Sequence, residues 1–182
     1  NDQVIAVTRQ AQKIRASIDT GATPQALEEL KTLETSLARI SEVNLSGGAP
    51  LGADQDEVLL DIAQVITLSP GADVVVYSIP FALGSYQAMF NRMLTDGMTV
   101  VSNSWSYCED QTSAADLTSM DSVLASLAAS GITVLNASGD TGSTCLSGAP
   151  NTIGVPAGSP HATAVGGSSY TWGPAPLYTG TE

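Results

Sequence analysis

Apolar residues alternate along the chain between short continuous runs and longer segments with helical spacing. Continuous apolar runs are typical of strands buried in parallel sheets, whereas apolar positions three and four residues apart predict helices. Strands are predicted at residues 4–7, 41–45, 72–77, 98–102, 132–136 and 162–165, and helices at 23–40, 56–68, 85–95 and 114–130. Because strands and helices alternate, we predict an α/β domain with a doubly wound, largely parallel sheet.

The helix predicted at residues 56–68 is apolar around almost its whole circumference, which is typical of a buried helix. Its polar line consists of Glu57, Asp61 and Gln64, and the i, i+4 spacing puts the two carboxyl groups on one face. Two buried carboxylates that close repel, so we expect one to keep its proton and bond the other. Such a pair is suited to acid–base chemistry, and a solvent-facing acidic stripe is the alternative.

Composition narrows the classes of partner and compartment. The chain has 182 residues, 43% of them hydrophobic, which suits one domain with a sizeable core. A net charge of −12 disfavours nucleic acid and anionic membranes as partners, and no apolar run is long enough for a transmembrane helix. The acidic excess suits a secreted or otherwise acidic, oxidising location, with plain solubility as the alternative. Since the chain begins at Asn1 and stops within a loop-like segment, we expect a processed or excised piece.

Two predicted strands end in unusual loops, at residues 102–109 and 137–145. In doubly wound sheets, ligands bind beyond the carboxyl ends of the strands. If these strands are neighbours, Cys108 and Cys145 lie on adjacent loops and can form a disulfide, with two free buried thiols as the alternative. Asp140 would then face the same crevice as Trp105, unless it only forms a turn.

Four motifs in combination resemble those of the sedolisins, which are serine-carboxyl peptidases on a subtilisin-like fold. They are Glu57-Val-Leu-Leu-Asp61-Ile with the Pro-Gly-Ala-Asp segment after it, Ser102-Asn-Ser-Trp105, Ala137-Ser-Gly-Asp140-Thr-Gly, and Ser159-Pro-His-Ala-Thr-Ala-Val-Gly-Gly167. Each motif is weak alone. The resemblance rests on their shared order and comparable spacing over about residues 4–167.

The resemblance implies a role for each matched residue. Glu57 matches the general base that takes the proton from the nucleophilic serine, and Asp61 matches the carboxyl that orients this base. Asp140 matches the oxyanion-hole aspartic acid, and Trp105 matches a tryptophan beside the Glu–Asp pair. A cysteine pair joining the two loops also occurs in some members. Because a carboxyl group donates a hydrogen bond only when protonated, we expect burial to raise the pKa of Asp140 and activity to require acidic pH.

The nucleophile is the main departure from the family. The family's serine lies in a Gly-Thr-Ser segment that opens a late helix, and this chain has no such segment. Ser168 and Ser169 are not expected to replace it, because the Tyr-Thr-Trp-Gly-Pro segment that follows cannot begin a helix. We therefore expect residues 1–182 to be the N-terminal portion of a peptidase catalytic domain, incomplete and inactive alone. The family's calcium site would lie in the absent portion, with no cofactor or metal in this chain, and an exposed sheet edge would favour self-association.

Other functions stay open on the sequence alone. A flavodoxin-like binding module would make Glu57 and Asp140 ordinary acidic residues, although no phosphate-binding signature supports a nucleotide. Asp19-Thr-Gly and Asp140-Thr-Gly spell the aspartic-protease triplet, but the predicted helices argue against two β-rich lobes. Asp19 also resembles the subtilisin aspartate, yet His161, the one histidine, comes too late for that triad and has no partners for a metal. On the peptidase interpretation, the partner is a peptide or protein substrate.

Overall fold

The structure is a computed structural model that describes residues 39–168 except 51, 53 and 54, together with isolated positions 24, 28, 31, 32 and 35. The chain divides into two compact units, Asn1–Ser85 and Tyr86–Glu182. The strand predicted at residues 4–7 lies outside the described residues. Of the helix predicted at 23–40, the isolated positions are helical.

The first unit contains a parallel strand pair joined through a helix. Strand β1 (Ile40–Asn44) pairs with β2 (Val74–Ser78), with Ile40 opposite Val74, and helix α1 (Gln55–Leu68) connects them. A parallel pair needs such a crossover, and all three elements confirm the predicted ones. The assignment of Ile40 to the apolar face of the preceding helix was wrong. This β-branched residue begins β1 instead, where it can join the strand ladder.

Helix α1 is less buried than its apolar composition predicts. None of its residues is buried, and Leu60 and Leu68 are 52% and 80% exposed. A helix is buried on all sides only when other elements pack around it. The predicted burial of this helix was therefore wrong for the described part of the chain.

The second unit contains a parallel three-stranded sheet. Strands β3 (Val100–Asn103), β5 (Thr133–Ala137) and β7 (Thr163–Val165) lie in the order β3-β5-β7. Helix α2 (Ser85–Thr95) precedes β3, and helix α3 (Ala114–Ala129) lies between β3 and β5. These elements confirm the predicted α/β class and its parallel pairing.

Helix α3 supplies much of the core of the second unit. Ser113 caps its N-terminus by accepting a hydrogen bond from the backbone N–H of Asp116. The helix packs against β5, and its buried residues are Met120, Val123, Leu124 and Leu127, as the helical spacing predicts. Gly131, with φ +78°, allows the chain to reverse direction after the helix.

The prediction missed two short strands and a single helical turn. β4 (Tyr107–Cys108) pairs antiparallel with β6 (Gly154–Val155), and a 3-10 turn covers Glu109–Gln111. Two-residue strands are too short to produce a periodic apolar pattern, so only their long-range pairing defines them.

Candidate active site

The two loops singled out from the sequence leave the same edge of one sheet. β3 and β5 are adjacent and parallel, with Asn103 opposite Asn136 at their carboxyl ends. The predicted neighbour relationship is therefore confirmed. The Ser102–Trp105 motif and the Ala137–Asp140 motif both begin at this edge, where ligands bind in sheets of this type.

A buried pair of asparagines fixes the ends of these two strands. Asn103 and Asn136 are 6% and 1% exposed. The Nδ2 group of Asn103 donates to Oδ1 of Asn136 and, at 2.7 Å, to the carbonyl of Trp105, while Nδ2 of Asn136 donates to the carbonyl of Ala137 at 2.8 Å. Buried amides left unpaired would be costly, so these bonds set the direction of both loops. An asparagine closing each of two successive apolar strands was the signal that sequence reasoning overlooked.

A disulfide joins the two loops. Cys108 and Cys145 are bonded, with an S–S distance of 2.02 Å and Cα atoms 5.7 Å apart. The predicted disulfide is confirmed, and the alternative of two free thiols is wrong. Covalent linkage limits how far the loop that begins at Asp140 can move from the loop that carries Trp105.

A second cluster fixes the Tyr107 end of the first loop to the helices. Asp116 accepts hydrogen bonds from the Tyr107 hydroxyl at 2.7 Å, from the Gln87 amide at 2.8 Å and from the Thr112 hydroxyl at 3.0 Å. Burial acts to raise the pKa of Asp116, but these three hydrogen bonds outweigh it and lower the pKa below its usual value. Burial raises the pKa of Tyr107, and the bond to Asp116 raises it further.

The predicted catalytic residues lie on both units. Glu57 is exposed and Asp61 half-buried, both in the first two turns of α1 in the first unit. Trp105, 37% exposed, and Asp140, exposed, lie in the second unit on the two loops that leave the same edge of the sheet. The convergence of Glu57 and Asp61 with Asp140 stays a prediction, as do the roles of all four residues.

Asp140 departs from the expected environment. The carboxyl was expected to be buried, but Asp140 is exposed. Its neighbours Gly139 and Gly142 have φ of +107° and +67° and contribute no side chain that could cover it. The burial prediction was therefore wrong in the described structure.

The remaining candidates lie at the surface or outside the described residues. His161 and Ser168 are exposed, and the backbone N–H of His161 donates to the Ser159 hydroxyl at 3.1 Å. Asp19 and Ser169 lie outside the described part of the chain.

No metal site could be assembled from the residues that the structure describes. Within residues 39–168 and the isolated helical positions, no group of three or more His, Cys, Asp or Glu side chains could hold a metal ion. The calcium site that the resemblance implies, expected outside this chain, stays a prediction. In the same part of the chain, no helix is long and apolar enough to cross a bilayer.

Fold and site together define a parallel α/β protein with chemistry-bearing loops at the carboxyl edge of its sheet. No protein-family model matches the chain. Kumamolisin from Bacillus sp. (strain MN-32) is 33% identical over 149 residues, which cover 75% of this chain and 26% of kumamolisin. A Pseudomonas sedolisin, a serine-carboxyl proteinase solved with two molecules of pseudo-iodotyrostatin, has a similar fold, with a TM-score of 0.63 and 24% identity. That match covers 82% of this chain and 48% of the sedolisin chain.

These matches show that the chain is related to the sedolisin family and has its subtilisin-like α/β fold. The relationship covers part of the relatives, since the chain spans about a quarter of kumamolisin (26%) and about half of the sedolisin chain (48%). It favours the subtilisin-like fold over the flavodoxin-like and two-lobed aspartic-protease folds that the sequence left open.

Proposed function

We propose that this chain carries the acid–base and oxyanion residues of a serine-carboxyl endopeptidase that acts at acidic pH. The observation that carries the proposal is the edge formed by β3 and β5. The two motif loops, which carry Trp105 and Asp140, leave the sheet at this edge and are joined by the Cys108–Cys145 disulfide. The chain that contains them is 33% identical to kumamolisin over the matched residues. The substrate is a peptide or protein, as the name serine-carboxyl proteinase indicates for the structural relative.

Each proposed role follows from the chemistry of its side chain. Glu57, exposed on α1, is the general base that takes the proton of a serine hydroxyl, and Asp61, one turn further along the helix, orients it. Asp140 donates a hydrogen bond to the developing oxyanion, which only its neutral form can do. A carboxylate base and a neutral carboxyl donor are required together, so the reaction belongs at acidic pH.

The nucleophile is proposed to lie outside residues 1–182. Ser168 follows the last described strand, is exposed, and precedes a segment unsuited to a helix start. The chain alone is therefore proposed not to turn over substrate. Calcium, if the whole protein requires it, would be bound by residues outside this chain.

The location and association of the chain are also part of the proposal. The disulfide supports a secreted or otherwise oxidising location. All three residues of β7 are exposed, and among the described strands β7 pairs with β5 alone, so its other edge supports self-association with a second copy. Neither nucleic acid nor a membrane is proposed as a partner.

The test is a peptidase assay on the complete gene product that contains this chain. Glu57→Gln should lower kcat about 10²–10⁴-fold, the range for removing a general base. Asp140→Ala should lower it about 10²–10³-fold, the range for losing one oxyanion donor. Glu28→Gln, on an exposed helical residue that pairs with Lys31, is the control and should keep full activity. Acid peptidase activity that survives Glu57→Gln unchanged would rule out the proposed base.

A further inference from the structure

The loop that begins at Asp140 is anchored at both ends. Before it, the backbone N–H of Ser138 donates to the carbonyl of Val165 at 2.9 Å, which ties the end of β5 to β7. After it, β6 (Gly154–Val155) pairs with β4. Residues 140–153, named here the Asp140 loop, contain no helix and no strand beyond an isolated antiparallel bridge between Thr144 and Pro150.

Three consecutive residues of the 3-10 turn hold this loop by hydrogen bonds. The Glu109 carboxylate accepts from the backbone N–H of Ile153 at 2.9 Å, and the Asp110 carboxylate accepts from the backbone N–H of Ala149 at 2.7 Å. The Gln111 side chain donates to the carbonyl of Ser147 at 2.9 Å. Carboxyl oxygens of Glu109 and Asp110 thus accept two of these three bonds, both from backbone N–H groups of the loop.

The packing at Gly148 shows that the loop is fitted to Asp110. A Cβ atom at this glycine would lie 3.0 Å from Oδ1 of Asp110, 2.8 Å from Oγ1 of Thr152 and 3.2 Å from Cβ of Cys145. The two shortest separations are to the ends of the Thr152 and Asp110 side chains, so a methyl group at this position would push both side chains aside. The close approach is an observation independent of the hydrogen bonds.

The turn that holds the loop is itself fixed to the body of the second unit. Tyr107, at its start, bonds to Asp116 in the first turn of α3, and Cys108 carries the disulfide to Cys145 within the loop. Two kinds of connection therefore run from α3 to the Asp140 loop, one covalent and one through the carboxylates of Glu109 and Asp110.

We infer that Asp110 and Glu109 are positioning residues for Asp140: they hold the backbone of its loop so that its carboxyl stays beside the carboxyl ends of β3 and β5. The catalytic consequence rests on the proposed function, in which Asp140 is the oxyanion donor. The holding of the loop is independent of the proposed function, because it follows from the contacts alone. Misplacing a catalytic group by about 1 Å can cost about 10²-fold in rate, so loss of the hold should lower kcat while KM changes little.

The first test uses residues 1–182 and measures, by amide hydrogen exchange, how strongly the Asp140 loop is held in place. In Asp110→Ala, the amides of Ala149 and of residues 139–142 should exchange at least about 5-fold faster than in the wild type, since local opening controls exchange. Asp110→Asn keeps an acceptor oxygen and should restore most of the protection. Asp96→Ala removes a carboxylate that pairs with Arg92 and lies just after the end of α2, and it should leave the loop unchanged.

Gly148→Ala provides a second variant that leaves both carboxylates in place. It should displace the loop from Asp110 and speed the same amides, which keeps the inference testable even if Asp110→Ala folds poorly. Unchanged exchange at residues 139–142 in Asp110→Ala or in Gly148→Ala would overturn the inference.

The second test measures kcat and KM at acidic pH in the complete gene product. Asp110→Ala should lower kcat about 10-fold or more with KM within about 2-fold, and Asp110→Asn should recover it. Faster exchange with unchanged kcat overturns the positioning role. A wild-type product without any peptidase activity refutes the proposed function instead, and the exchange experiment then decides the hold by itself.

Discussion

The disulfide between the two motif loops allows a quantitative prediction about stability. Its removal in Cys108→Ala/Cys145→Ala, or by reduction of the wild type, opens a loop defined by a sequence separation of 37 residues. Alanine is preferred to serine because Cys108 is 4% exposed and a buried hydroxyl would add its own cost.

The size of the effect follows from the entropy that the crosslink removes from the unfolded chain. For a separation of 37 residues, the loop-closure relation gives about 13 cal/mol/K, or about 4 kcal/mol at 25 °C. The hydrogen bonds of Glu109 and Asp110 close the same loop in the folded state only, so they do not reduce this contribution.

The assay is urea unfolding followed at individual amide resonances. Resonances from β3 and β5 should report a free energy of unfolding about 4 kcal/mol lower without the disulfide. The bond lies within the second unit, and resonances from β1 and β2 measure separately the unfolding of the first. Reduced wild type, which keeps both side chains, should agree with the double variant within about 1 kcal/mol. A loss below about 1 kcal/mol in both would refute the loop-closure reasoning.

Four further predictions test the core, the hydrogen-bond cluster and the chemistry. Leu124→Ala should cost about 2–5 kcal/mol in urea unfolding because the side chain is 0% exposed, whereas Thr118→Ala on the exposed side of α3 should cost under about 1 kcal/mol. The lowered pKa of Asp116 implies a stability contribution that is present above its unfolded-state pKa and lost as pH falls through the folded one, so unfolding of Asp116→Asn should depend less on pH over about pH 2–5. Residues 1–182 alone should hydrolyse no peptide, and a rate that disappears in Ser168→Ala would contradict this. In the complete product, Asp140→Asn should extend activity toward neutral pH relative to wild type, because an amide donates a hydrogen bond at any pH; an unchanged pH profile would contradict the donor role.

Short sequence patterns predicted correctly the strands and helices that are determined by the residues within them. The β-branched runs of β2 and β5 and the regular apolar face of α3 each specify one structure over several residues, and the structure confirms them. Ile40 was assigned to the wrong element because one apolar residue at a helix–strand boundary fits both patterns. The burial of α1 could not be judged from composition, since burial depends on what packs around the helix.

In the candidate site, too, features within one short segment were predicted, whereas contacts between distant residues were not. Two strand-end loops and a cysteine pair were visible as motifs, and their adjacency was confirmed once β3 and β5 proved to be neighbours. The holding contacts of Glu109 and Asp110 were not predicted, because they join residues 44 and 39 positions apart with no repeating pattern. Asp140 was expected to be buried on chemical grounds, and the structure leaves it exposed instead.

The exposed leucines of α1 have a practical consequence for handling these 182 residues. The sequence has an isoelectric point near 4.1, so the electrostatic repulsion between molecules vanishes in the same acidic range where activity is proposed. Apolar side chains such as Leu60 and Leu68 are then free to drive molecules together. Aggregation of dissolved protein should therefore peak around pH 4, and acid assays will work best in dilute solution or at a pH well below that value.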